Sequence, residues 1–384
     1  MAVREMRATV LGASLMSAAA SLPLHLLPIL VLALSQGGRT STAHAGWVAS
    51  AYMVGQLCSV LLLPSLGVQR VVRAGALLAV SVMVGSTVLS SSPSQFLLLL
   101  SWLVIGLACG SLHFLATTTA AAANDRRMAF AVRMAMSSAV GGAVIVVLQL
   151  ARRQVDYATL STLLAAAFAL IAGLGLFLYR TPPLISHTAI AAGGADPPAS
   201  AVTRAGFLAL FVLFVGQHGL WAFALQGAQQ RGLALEQVMW AIALCKFAGA
   251  AFVLGSGRGW GQSEARPSVL LPALAVAGGG LVVVLSTQAG MFWVGLLFWE
   301  IGLNLLSARL QALVAQQDPR RAGMWMTSAI FLGAASGPAL AGWAIGMGQF
   351  HLFALFGAAT GLVPYIWTLA LPHPANCAAT PKKC

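Results

Sequence analysis

The sequence predicts an all-α polytopic membrane protein of twelve transmembrane helices, arranged as two pseudo-symmetric six-helix bundles. Three observations carry that expectation. Of 384 residues, 59% are hydrophobic and 8% charged, with a mean hydropathy of +0.88. A water-soluble core cannot hide so much apolar surface. Apolar segments of about 20 residues, the length one bilayer crossing needs, recur from Thr9 to Leu371. Finally, the basic residues gather in small groups between these segments, mostly on one side of the expected membrane.

Breaks containing Gly, Pro or charge place the first six helices near 9–34, 46–66, 72–90, 95–120, 134–150 and 158–179. The second six fall near 205–226, 236–256, 267–286, 290–311, 322–345 and 350–371. The first segment is longer than a signal peptide's apolar region, carries Ser and Pro, and lacks an A-x-A site before a soluble domain. It is expected to be retained. Between the halves, Pro182, Pro183, Pro197, Pro198 and the Gly193-Gly194 pair mark an irregular linker. The expected units are therefore residues 1–180, a cytoplasmic linker at 181–204, and residues 205–384 ending in a short cytoplasmic tail.

With the N-terminus cytoplasmic, fifteen Lys and Arg fall on that side and only Arg39, Arg152, Arg153 and Arg231 on the other. Arg133 is counted among the fifteen, just ahead of the fifth helix. This partition predicts cytoplasmic termini by the positive-inside rule. Lys246 and Arg309 lie within predicted helices. The net charge of +13 forms no single patch of the kind that binds nucleic acid. Arg outnumbers Lys and the chain is rich in Ala and Gly, which points to a GC-rich bacterial genome and an inner membrane. Cys58, Cys109 and Cys245 lie inside apolar segments, so no disulfide framework is expected.

A weak repeat supports the division into halves. Trp47 opens the second helix and Trp240 lies near the start of the eighth; Asn124-Asp125-Arg126-Arg127 returns as Gln317-Asp318-Pro319-Arg320-Arg321 after the tenth. Duplicated halves are a common transporter plan.

The run Ala45-Gly46-Trp47-Val48-Ala49-Ser50-Ala51-Tyr52-Met53-Val54-Gly55-Gln56-Leu57 resembles the second helix of the major facilitator superfamily. That family carries G-x-x-x-D-R-x-G-R-R in the next loop. Here Ser65-Leu66-Gly67-Val68-Gln69-Arg70-Val71-Val72-Arg73-Ala74 keeps Arg70 and Arg73 but lacks the acid and both glycines. The resemblance implies a gating latch at Arg70 and Arg73; topogenic charge is the alternative. Gly333-Ala334-Ala335-Ser336-Gly337-Pro338-Ala339-Leu340-Ala341-Gly342 resembles the family's Gly-Pro packing pattern, in which small residues let helices approach and Pro kinks them. The fifth helix has Ser138-Ala139-Val140-Gly141-Gly142 without the Pro of the family's proton antiporters.

Ionisable side chains inside a bilayer are costly and mark function or pairing. Glu300 lies ten residues into the tenth helix and Lys246 ten into the eighth, so both reach a depth of about 15 Å. They are read as a proton-coupling pair, or as a structural ion pair. Glu300, Asn304, Ser307 and Gln311 form one polar stripe. His25, His113 and His218 lie on the first, fourth and seventh helices, which, with the tenth, the resemblance implies line the central cavity. Tyr52, Gln56 and Trp221 complete the expected cavity set, as groups that combine apolar contact with oriented hydrogen bonds. A histidine alone is more often an interhelical hydrogen bonder.

Cys109 and His113 share an i, i+4 spacing, but two ligands do not make a site, so no metal and no cofactor is expected. There is no Walker A loop and no nucleophile–base constellation in the sequence, so no enzyme is expected. The resemblance implies a secondary transporter, read as a monomer exporting an amphipathic solute against protons. Proton-coupled uptake of an anionic metabolite and a non-transporting receptor or scaffold remain the alternatives.

Overall fold

In the computed structural model the described residues are 2–36, 40–66, 68–89, 94–151, 156–179, 200–258, 265–318 and 322–371. They form helices joined by short turns, with no strand among them. Helix α1 is Ala2–His25, continued after a turn at Leu26 by Leu27–Gln36. In the first half, α2 is Thr42–Leu66, α3 Val68–Leu89, α4 Gln95–Ala122, α5 Arg126–Leu150 and α6 Tyr157–Leu178. In the second, α7 is Ala201–Gln230, α8 Leu235–Gly257, α9 Ala265–Leu285 and α10 Ala289–Gln317. Helix α11 is Ala322–Gly346, opening in a π turn, and α12 is Phe350–Leu369, interrupted by a 3₁₀ turn at Thr360–Leu362. Eleven helices are long and apolar enough to cross a membrane, and α3 adds the shorter apolar stretch Val72–Thr87. Leu77, Leu170 and Leu271 are more than 70% exposed. Such a surface is a liability in water and the ordinary outer face in lipid.

Several helices begin where a short polar side chain caps the free backbone N–H groups of the first turn. Asp125 accepts from Met128 N at 3.0 Å, Asp156 from Thr159 N at 2.6 Å, and Ser200 from Thr203 N at 3.0 Å. The Asp125 cap corrects one expectation. Helix α5 starts at Arg126, eight residues earlier than predicted, so Arg133 lies two turns inside it. Similarly, α3 starts at Val68, placing Arg70 and Arg73 in a helix and not in a loop. The linker expected at 181–204 falls largely outside the described residues, as does the tail.

The break in α1 has a chemical cause. Pro28 has no N–H, so the Leu24 carbonyl loses its partner one turn later. Trp221 of α7 supplies the missing donor through Nε1 at 2.9 Å, tying the two halves together.

Helix packing repeats after a shift of six. Across the halves α2 packs on α11, and α8 packs on α5. Adding six to each label, modulo twelve, turns one contact into the other. Glycine makes the α2–α11 contact possible: a Cβ at Gly46 would lie 2.5 Å from the Pro338 carbonyl oxygen. Ser50 then donates to the Ala335 carbonyl at 2.6 Å. Such small-residue approach is the usual packing device where apolar driving force between helices is absent.

Candidate functional site

Between the halves lies a cavity with walls from α1, α2, α4, α5, α7, α8, α10 and α11. Its charged centre is Lys246 with Glu300, whose Nζ and Oε1 are 3.1 Å apart. Both are buried, at 3% and 7% exposure. Their pairing, expected from matched depth, is therefore present. Asn304 Nδ2 donates to the same Oε1 at 3.1 Å and to the Glu300 carbonyl at 2.8 Å. Ser138 of α5 lies 3.2 Å from Glu300 Oε1 and 2.9 Å from Asn304 Oδ1, so its one hydroxyl proton serves one of them at a time. The three contacts to the carboxylate, from Lys246, Asn304 and Ser138, all fall on Oε1.

Lys246 also sits over the Trp221 ring, 4.4 Å from its centroid, a cation–π contact in a desolvated place. Trp221 meets Trp299 edge-on at 5.9 Å. Trp299 Nε1 donates to Gln217 Oε1, while Gln217 Nε2 donates to the Gly357 carbonyl at 2.9 Å. This chain of bonds fixes the aromatic wall from behind.

The three histidines reach the cavity with different freedom. His113 is held on both nitrogens: Nδ1 lies 3.0 Å from Ser17 Oγ and Nε2 3.3 Å from Ser21 Oγ. Ser21 spends its proton on the Ser17 carbonyl, so it accepts from Nε2–H, and Nδ1 accepts from Ser17. His25 Nε2 lies 2.7 Å from Ser137 Oγ, and Gly141 leaves room for its ring. His218 Nδ1 bonds the Phe214 carbonyl at 3.2 Å. Its Nε2 has no protein partner among the described residues.

The structure thus brings His25, His113, His218, Trp221, Lys246, Glu300 and Asn304 to one cavity, together with the rest of the α10 stripe, Ser307 and Gln311. Tyr52 and Gln56 are placed elsewhere, and this corrects their assignment to the lining. Tyr52 donates to the Ala20 carbonyl and meets Trp102 edge-on at 5.9 Å, while Gln56 Nε2 lies 3.4 Å from the same carbonyl. They pack α2 against α1 and α4; Met53, one residue on, faces the cavity instead. Arg73 is exposed on α3, and the Arg70 side chain lies outside the described residues.

Sequence reasoning missed Arg133, which lines the cavity. Its Nη1 donates to Thr117 Oγ1 at 3.2 Å and its Nη2 to Gln311 Oε1. The signal was present in Asp125: read as an N-cap, it puts Arg133 and Ser137 at i, i+4 on one face of α5.

The geometry defines a class: an all-helical membrane protein whose two halves enclose a polar, charged cavity. Comparison with solved structures gives that class its fold. The chain has the fold of the major facilitator superfamily. It superimposes on the human organic anion transporter MFSD10 (TETRAN) with a TM-score of 0.67 at 20% identity, covering 95% of this chain and 98% of that one. Against the major facilitator transporter FucP, the E. coli fucose:proton symporter, in its outward conformation, the TM-score is 0.63 at 13% identity, over 94% and 98% of the chains. Against the proton:xylose symporter XylE it is 0.66 at 12% identity, over 95% and 94%. The sequence matches no family model and no curated protein.

Proposed function

We propose that the chain is a secondary transporter that moves a small organic solute by alternating access of its two halves, with Glu300 carrying the coupled proton. One observation carries this reading: the cavity's only carboxylate among the described residues sits where the halves meet, held by Lys246 of its own half and Ser138 of the other. Rocking one half against the other changes the α5–α10 contact, and with it the polar surroundings of Glu300. A carboxylate in a dry cavity stays ionised only while a cation and donors face it. Lys246, on the same half, moves with Glu300 while Ser138 withdraws; loss of that donor favours proton uptake, and its return favours release. The other charged or titratable side chains facing the cavity are His25 on α1, His113 on α4, Arg133 on α5 and His218 on α7.

The structural neighbours support this reading without naming the cargo: two are proton symporters and one is an organic anion transporter. The test is flux in proteoliposomes. Solutes that raise the melting temperature of the purified protein, as ligands of the folded state do, are expected to accumulate when an artificial proton gradient is imposed. Binding solutes that never cross, or that cross at a rate indifferent to the gradient, would overturn the proposal.

A further inference from the structure

We infer that Arg133 is the anion-binding subsite of the cavity, built to take the carboxylate of an organic acid; the inference rests on reading the cavity as the solute site. Arg133 is 7% exposed, yet every partner of its guanidinium is neutral. Thr117 Oγ1 and Gln311 Oε1 accept from the two terminal nitrogens, and the Phe130 ring lies 5.6 Å away. Nε is buried and has no partner. Among the described residues no carboxylate pairs with Arg133, and the cavity's Glu300 is taken by Lys246. A buried, unpaired charge is among the most expensive features a fold can carry. A transported anion offsets that cost whenever it binds.

The unused donor is on the useful edge. Nε–H and one Nη2–H of a guanidinium point the same way and match the two oxygens of a carboxylate. Here Nε is vacant and Nη2 is occupied by Gln311, a neutral amide whose own Nε2 has only the Met134 sulfur at 4.0 Å. An entering carboxylate displaces that amide oxygen and gains two charge-assisted bonds. Ser307, one turn from Gln311 on the same stripe, has a buried hydroxyl with no partner and also lines the cavity.

Glu300 does not oppose an anion there. Eleven residues separate it from Gln311 on α10, about 16 Å along the axis, and Lys246 already neutralises it. With neutral histidines, the lining holds two cations and one carboxylate, a net charge of one positive. The wall beyond Arg133 is aromatic: Phe331 meets His113 edge-on at 5.3 Å, and Phe214 stacks on His218 at 5.0 Å. This suits an apolar body behind a single acidic head.

The experiment uses the full-length protein in detergent and a panel of aromatic and aliphatic monocarboxylic acids, each beside its neutral amide. Binding is read by thermal shift. At least one acid is expected to bind wild type about tenfold or more tightly than its amide, the effect of about 1.4 kcal/mol. Arg133→Gln should erase that preference, and Arg133→Lys should keep part of it. Gln311→Leu removes the competing amide and should tighten acid binding. Acids and amides binding alike to wild type, no member of the panel binding, or Arg133→Gln keeping the preference would each overturn the inference. Should Arg133→Gln fail to fold, the decision falls to Arg133→Lys and Gln311→Leu, and unchanged acid affinity in both overturns it. A brace between helices would lower the melting temperature on mutation without distinguishing acid from amide. Acids that bind through Arg133 but produce no flux would count against the transport reading and leave this subsite standing.

Discussion

Lys246→Met is expected to destabilise the protein by about 3–5 kcal/mol, the usual result of removing one partner from a buried ion pair. It leaves Glu300, 7% exposed, with only Ser138 and Asn304 to face its charge. Met keeps much of the lysine's apolar stem but cannot supply the cation over Trp221. Adding Glu300→Gln should recover most of the loss, because the amide is neutral and can still bond Ser138. Thermal unfolding of wild type, both single variants and the double variant checks both statements. A single variant as stable as wild type would mean that the pair contributes little to the fold. A double variant as unstable as the single would mean that Lys246 acts through Trp221 instead.

Gly46→Val is expected to disable the transport cycle while sparing solute binding. The glycine lies where α2 crosses α11, and its absent Cβ would be 2.5 Å from the Pro338 carbonyl and 3.3 Å from the Phe223 ring. Both neighbours are held, one as backbone and the other in the core. Overpacking of this kind costs about 1–3 kcal/mol. It is charged only to conformations in which α2 and α11 touch at this end. The balance therefore shifts about fivefold to 150-fold toward the state open there, and a cycle that must pass through both states slows accordingly. Ser50–Ala335 and the approach of Gly342 to Ala43 should break with it. A cysteine placed at Met53, on the cavity face of α2, should react faster with a water-soluble maleimide. Wild-type flux with unchanged reactivity would show that α2 and α11 do not part during transport.

The architecture was legible because a bilayer imposes its length on every crossing, and runs from Thr9 to Leu371 keep that length. The centre of the site was legible for a related reason. His25, His113, His218, Lys246 and Glu300 interrupt apolar runs that lipid alone would not tolerate. Rotation about a helix axis was harder to read. Helix α2 is packed by α4 on one side and α11 on another, so it has no single polar face to set its phase. Tyr52 and Gln56 therefore looked like lining, although they satisfy the Ala20 carbonyl within the first half. Arg133 was lost in a different way: a charge near a helix end was read as topology. The end itself had been set too late, by charge and not by the Asp125 cap. Gln217 and Trp299 could not have been paired from sequence, since 82 residues separate them and only the fold brings them together.

The central claim is that a proton carried by Glu300 drives the solute. Its most direct test is transport by the Lys246→Met, Glu300→Gln double variant, reconstituted beside wild type with the same bound solute. Wild type should concentrate the solute when a proton gradient is imposed. The double variant, folded and still binding, should equilibrate the solute downhill but never concentrate it, at any imposed gradient. Concentration to the wild-type level by the double variant would contradict the account: the proton would then travel without Glu300, and the buried pair would serve only to hold α8 against α10.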